Sequence, residues 1–158
     1  MPNIRSRHRG ALLGLAVGDA VGTAVEFSPR GSFPLVTDMV GGGPFGLNPG
    51  EWTDDTSMAL CLAHSLLECD GLDPRDQMKR YVRWWHQGYC SPNDRGCLDI
   101  GNTVRAALAQ FESTGDAIAG STDPRRFTTR LSNALHPDRQ CEGGRHEGWP
   151  GLYRPGDG

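Results

Sequence analysis

Thr53-Asp54-Asp55-Thr56 packs two hydroxyls and two adjacent carboxylates into four residues. It lies where a Pro/Gly-rich run ends, at Gly50, and an apolar helical pattern begins, near Met58. Two chemistries suit it. A helix start leaves its first backbone N–H groups without partners, and Thr or Asp caps them. Hard oxygen donors at this density also suit Mg²⁺, Ca²⁺ or Mn²⁺. One Asp is enough for a cap, so the second carboxylate is the one that capping leaves unexplained.

Three further acids stand at informative places. Asp19 interrupts an apolar helical stretch, where a carboxylate needs either a partner or a cleft. Bonding to a neighbouring loop would satisfy it. Glu26 comes just past that stretch, ahead of Phe27-Ser28-Pro29, and alone reads as a surface acid. Asp99 precedes a helix start at Thr103 by one short turn, which capping would explain. Acids at successive loop-to-helix junctions of one small domain can converge on one pocket. A two-metal phosphoesterase is disfavoured, because no His accompanies Asp54-Asp55 at ligand spacing. His64 reads as a satisfied boundary residue.

The elements that must position these acids are helical. Gly10, Gly14, Gly18 and Gly22 recur every fourth residue, which puts them on one face of a helix. Glycine inside a helix costs up to ~1 kcal/mol relative to Ala, so four on one face predict close approach of another backbone. With Leu12, Leu13, Leu15 and Val17 on the remaining surface, this helix is expected to be central and buried. A second helix is expected from Asp55 to about Cys69, ended by Gly71. A third opens at Asp73-Pro74 and stops at Gly88. A fourth starts at Thr103 and stops at Gly115.

The segment 28–52 carries Pro29, Gly31, Pro34, Gly41-Gly42-Gly43-Pro44 and Pro49-Gly50, yet also Phe33, Leu35, Phe45, Leu47 and Trp52. It is too apolar for a disordered linker and is expected to be an ordered loop covering a site. Its triple glycine is not a P-loop, because no Lys-Ser/Thr follows.

The totals exclude several classes. A net charge of −3 argues against binding to a nucleic-acid backbone by bulk charge. No apolar run approaches the ~20 residues of a membrane span, and the basic N-terminus is not followed by an unbroken signal core, so the chain is read as cytoplasmic. The cysteines are odd in number and lack zinc-ribbon spacing. Cys61 and Cys69 are expected to be buried thiols. With 37% hydrophobic residues the core is lean. From Arg125 the composition turns rich in Arg, Gly and Pro with no helical or strand period, so residues 125–158 are expected to be a disordered tail or the product of a shifted reading frame.

Taken together, residues 14–26 (Gly-Leu-Ala-Val-Gly-Asp-Ala-Val-Gly-Thr-Ala-Val-Glu), the loop at 36–45, Gly-Glu-Trp-Thr-Asp-Asp-Thr-Ser-Met-Ala-Leu at 50–60 and Leu-Asp-Ile-Gly-Asn-Thr at 98–103 resemble the ADP-ribosylglycohydrolase family. The likeness is to its bacterial branch, which includes the dinitrogenase-reductase-activating glycohydrolase. It covers residues 9–124 and so places the N-terminal part of such a domain at 1–124. The resemblance implies an all-α, orthogonal helical fold, a dinuclear Mg²⁺ or Mn²⁺ centre, and hydrolysis of the glycosidic bond between ADP-ribose and an acceptor side chain. It assigns Thr53, Asp54 and Asp55 to the first metal-ligand motif. Glu26 becomes the acid that reaches the activated water or the ribose. Asp99 becomes the acid near the anomeric centre, with Gly101 and Asn102 beside it against the substrate.

The departure is in length. Family members run to roughly twice this length and carry a later phosphate-cradling stretch and a second Asp-x-Asp-Thr cluster, neither of which follows Pro124 here. The resemblance therefore implies a truncated site, inactive as a single chain. The alternative is a non-catalytic half-domain that binds ADP-ribose or pairs with a separately encoded C-terminal half.

Overall fold

The computed structural model describes residues 3–118, and the expected tail at 125–158 lies outside them. Four helices follow in order: α1 (Ile4–Gly22), α2 (Asp54–Glu68), α3 (Pro74–Gln87) and α4 (Asn102–Thr114). Short 3-10 turns at Thr23–Val25 and Pro92–Asp94 join them. The described residues hold no β-strand, only an isolated antiparallel bridge between Gly42 and Leu47. The fold is all-α, as expected.

The stops and starts have local causes. Asp73 caps α3, its carboxylate accepting from the backbone N–H groups of Arg75 (2.8 Å) and Asp76 (3.0 Å), with Pro74 in the first turn. Gly88 and Gly115 end α3 and α4 in the left-handed region, at φ +69° and +71°, where glycine has no Cβ penalty.

The core lies between α2, α3 and α4. Met58 and Cys61 of α2, Met78, Tyr81 and Trp84 of α3, and Leu108 and Phe111 of α4 are buried against one another. Cys97 and Ile100 pack at its edge and so tie the segment before α4 to the core. Arg80 of α3 bridges to Glu68 of α2 (2.7 Å) and to Asp76 one turn earlier (2.6 Å). His64 is satisfied by the Tyr89 hydroxyl, as expected of a boundary histidine.

Two burial expectations are corrected. Helix α1 is not central: Ala20 is its only buried residue, Leu13 is 65% exposed, and Leu12, Leu15 and Val17 are exposed as well. A Cβ placed on Gly10, Gly14, Gly18 or Gly22 would meet nothing within 4 Å. Only the end of α1 around Asp19–Thr23 engages α2 and the loops, because no described element packs on the rest. Cys61 is fully buried, but Cys69, at the end of α2, is only partly covered.

The segment 28–52 divides in two. In its first part Phe33, Leu35 and Val40 are exposed, while Val36 and Met39 are half-buried. The second part is a tight turn docked on the rest: Gly42 and Leu47 exchange both backbone hydrogen bonds (2.7 and 2.9 Å), and Leu47 is buried. The glycines serve contact here. A Cβ on Gly43 would lie 2.2 Å from the Thr23 carbonyl oxygen, and one on Gly41 2.5 Å from that of Leu47.

Candidate functional site

Helix α2 begins without a cap of its own. Thr53 stands at the cap position, yet its side chain bonds no backbone N–H of the first turn. The cap arrives from α1. The Asp19 carboxylate accepts from the backbone N–H of Thr53 (3.1 Å to each oxygen), the Thr53 hydroxyl (2.7 Å), the Thr56 backbone N–H (3.0 Å) and the Thr56 hydroxyl (2.7 Å). Thr23 adds its hydroxyl at 3.2 Å. An acid at the positive end of a helix is favoured by the dipole as well as by these bonds. Asp19 thus has the structural role that its place in an apolar stretch left open.

Because Asp19 caps the helix, Asp54 and Asp55 are not consumed in doing so. Both belong to the first turn of α2, Asp54 partly covered and Asp55 exposed. Asp99 comes from the segment before α4, held at φ +49°, an uncommon conformation for a residue with a side chain. Glu26 follows the turn at the end of α1 and lies beside Asp99. Three helix termini therefore bring Glu26, Asp54, Asp55 and Asp99 together, with Asp19 behind them.

The electrostatics follow from this crowding. Burial, then the nearby charges of Asp99 and Asp55, push the Asp54 carboxyl from an ordinary 3.8 up to about 7. Burial, then Asp99, also raises Glu26. Burial and the charge of Asp54 drive the Cys97 thiol up to about 11, so it is a protonated wall of this site rather than a nucleophile.

The donors, carboxylate and hydroxyl oxygens, fit a hard divalent cation in kind, and the raised Asp54 marks a place where a cation would relieve repulsion. Among the described residues, however, no group of three or more His, Cys, Asp and Glu side chains is arranged to hold a metal ion. Gly101 and Asn102 sit exposed at the start of α4, whose first turn receives no side-chain cap.

Sequence reasoning missed Glu51. It is 3% exposed and accepts from the Asn48 backbone N–H (2.8 Å), Asn48 Nδ2 (2.9 Å), Asn93 Nδ2 (2.7 Å) and Arg95 Nη1 (2.8 Å). These bonds, Asn93 foremost, hold its carboxyl down at about 2. Nothing in Gly50-Glu51-Trp52 announces this, since two of the partners, Asn93 and Arg95, lie more than forty residues on.

A small helical protein with acidic residues at three helix termini is the class that fold and site define. The ADP-ribosylglycohydrolase family model matches residues 1–140. An ADP-ribosylarginine hydrolase of Serratia proteamaculans is 55% identical over 116 residues, covering 73% of this chain and 31% of its own. An ADP-ribosyl-[dinitrogen reductase] glycohydrolase of Rhodospirillum rubrum is 37% identical, with 75% of this chain and 39% of its own covered. A solved ADP-ribosylglycohydrolase-related protein complex matches with a TM-score of 0.60 at 52% identity, over 73% of this chain and 36% of that one. The chain belongs to the ADP-ribosylglycohydrolase family. It spans about a third of the length of these relatives.

Proposed function

We propose that the site acts in metal-dependent hydrolysis of the glycosidic bond joining ADP-ribose to an acceptor, with ADP-ribosylated arginine the first candidate given the 55% identical relative. The observation that carries this reading is the convergence of Glu26, Asp54, Asp55 and Asp99 from three helix termini.

In this reading Thr53, Asp54 and Asp55 hold Mg²⁺ or Mn²⁺, as part of a dinuclear centre. A divalent cation there supplies Lewis-acid polarisation of sugar oxygens and lowers the pKa of water. The chain's own residues supply the rest. Glu26, whose carboxyl burial and its acidic neighbours hold above the usual range, is the group that takes a proton from the attacking water. Ionised carboxylates beside the sugar stabilise the oxocarbenium-like charge of glycosidic cleavage. Gly101 and Asn102 offer the uncapped start of α4 to the substrate. In this reading the setting is the cytoplasm; no described helix is long and apolar enough to cross a membrane.

The exposed face of α1 favours a second component. Leu12, Leu13, Leu15 and Val17 alternate there with glycines that nothing approaches, a surface suited to a further helix. The part of the family fold that this chain does not match is the fitting occupant, so the chain acts as one half of the hydrolase and is a non-catalytic binding half without the other.

The test is release of ADP-ribose from an ADP-ribosylated arginine peptide with Mg²⁺ or Mn²⁺. It is run with the chain alone and with the chain mixed with the unmatched part of the Serratia relative. Release in the mixture, abolished by EDTA and by Asp54→Ala with Asp55→Ala, is expected. No release in either arrangement sinks the reading.

A further inference from the structure

The glycine turn at 41–47 and the loop at 88–101 have no secondary structure in common, yet they are locked together. Arg95 reaches across with both terminal guanidinium nitrogens: Nη1 donates to Glu51 Oε2 (2.8 Å) and the Gly46 carbonyl (3.0 Å), and Nη2 to the Phe45 carbonyl (3.2 Å). Asn93 donates to the other Glu51 oxygen (2.7 Å). The next residue, Trp52, donates its indole N–H to the Cys90 carbonyl (3.1 Å). At the neck of the same loop Gly88 abuts Gly96, where a Cβ on Gly88 would lie 2.6 Å from the Gly96 Cα. Residues 90, 93 and 95 are thus gripped by two consecutive side chains that immediately precede Thr53, Asp54 and Asp55.

The grip bears on the site, because Asp99, held at φ +49°, stands four residues past Arg95 on the same loop, beside Glu26 and Asp54. A buried carboxylate with four donors and an Arg bound to three acceptors is a strong charge-assisted junction, with Glu51 at its buried centre and Asn93 and Arg95 on its exposed side.

We infer that the Glu51–Arg95 junction, with Asn93, is a positioning device that holds Asp99 against the Asp54-Asp55 turn. It touches neither substrate nor cation and works through the backbone of 96–99. The inference deepens the proposed function and rests on it for the purpose of the positioning, though the junction is measurable without it.

The test compares the wild-type chain with Arg95→Met, which keeps the side-chain bulk and removes every donor, and Arg95→Lys, which keeps the charge and one reach. Amide hydrogen exchange of peptides spanning 44–51 and 93–100 is read against the α3 peptide 78–87. Mn²⁺ binding is read by paramagnetic resonance. Arg95→Met is expected to exchange about tenfold faster in both loops with α3 unchanged, and to bind Mn²⁺ about tenfold more weakly, the size of effect that outer groups around a metal have. Arg95→Lys is expected to recover part of both. Unchanged loop exchange in Arg95→Met overturns the inference. Faster exchange with undiminished Mn²⁺ affinity also overturns it, since the loop would then be held but Asp99 not positioned by it. If the chain alone binds no Mn²⁺, the proposed function is decided by the mixture with the other component, and the inference by whether Arg95→Met speeds exchange at 96–100 as well as at 93–95.

Discussion

The carboxylate of Asp19 accepts both the backbone N–H and the hydroxyl of Thr56, thirty-seven residues later in the chain, at 3.0 and 2.7 Å. With the matching pair of bonds from Thr53 it closes the open end of α2 from another helix. The strip 51–56 is thereby divided by task. Glu51 and Trp52 grip the 88–101 loop, Thr53 and Thr56 hold Asp19, and Asp54 and Asp55 take part in neither.

Asp19→Ala removes a cap and several charge-assisted bonds together. The expected cost is about 2–3 kcal/mol of unfolding free energy, read by urea unfolding. Asp19→Asn, which keeps the shape but cannot accept from four donors at once, falls between. A cost near zero would show that α2 is capped in another way.

Gly43 and Gly14 make opposite predictions. Gly43→Ala puts a Cβ against the Thr23 carbonyl at a φ of +65°, so a loss of about 2 kcal/mol or more is expected. Gly14→Ala, in a helix with open space around it, is expected to stabilise the isolated chain by up to ~1 kcal/mol. The same substitution is expected to block association with the other half, if the glycine face receives a helix. Thermal unfolding and co-purification read the two effects separately.

The acid limb of the stability curve belongs in part to Glu51. Its folded value of about 2 lies below the ordinary 4.5, so the stability it adds is present above pH 4.5 and is lost as pH falls toward 2. Glu51→Gln is expected to be less stable than the wild type at pH 7, with the gap closing on acidification below 4.5. A gap that stays constant down to pH 2 would contradict the buried junction.

Asp54 carries the opposite sign. Its folded value of about 7 lies above the ordinary 3.8, so its cost to the cation-free fold is absent below 3.8 and grows as pH rises to 7. In EDTA at pH 8, Asp54→Asn is expected to raise stability by about 1 kcal/mol or more. Mn²⁺ affinity of the wild type is expected to climb between pH 5 and 7 with release of a proton, seen by calorimetry in buffers of different ionisation enthalpy.

The sequence by itself determined the helices and their ends. Asp73-Pro74, Gly88 and Gly115 are local signals, decided by backbone geometry within a few residues, and they stop and start helices where expected. It also identified the acids at the junctions, because Thr53-Asp54-Asp55-Thr56 is more oxygen than a cap requires. The tertiary structure alone decided which partners Asp19 and Glu51 take. Asp19 caps rather than lines the pocket because Thr53 and Thr56 happen to reach it. Glu51, unremarked in its own neighbourhood, is buried because Asn93 and Arg95 fold onto it. The burial of α1 was misjudged for the same reason: an apolar, glycine-spaced helix states that it can be covered, and only the presence of a neighbour decides whether it is. Local chain geometry is written in adjacent residues, whereas a partner for a charge or an apolar face is supplied by segments far along the chain.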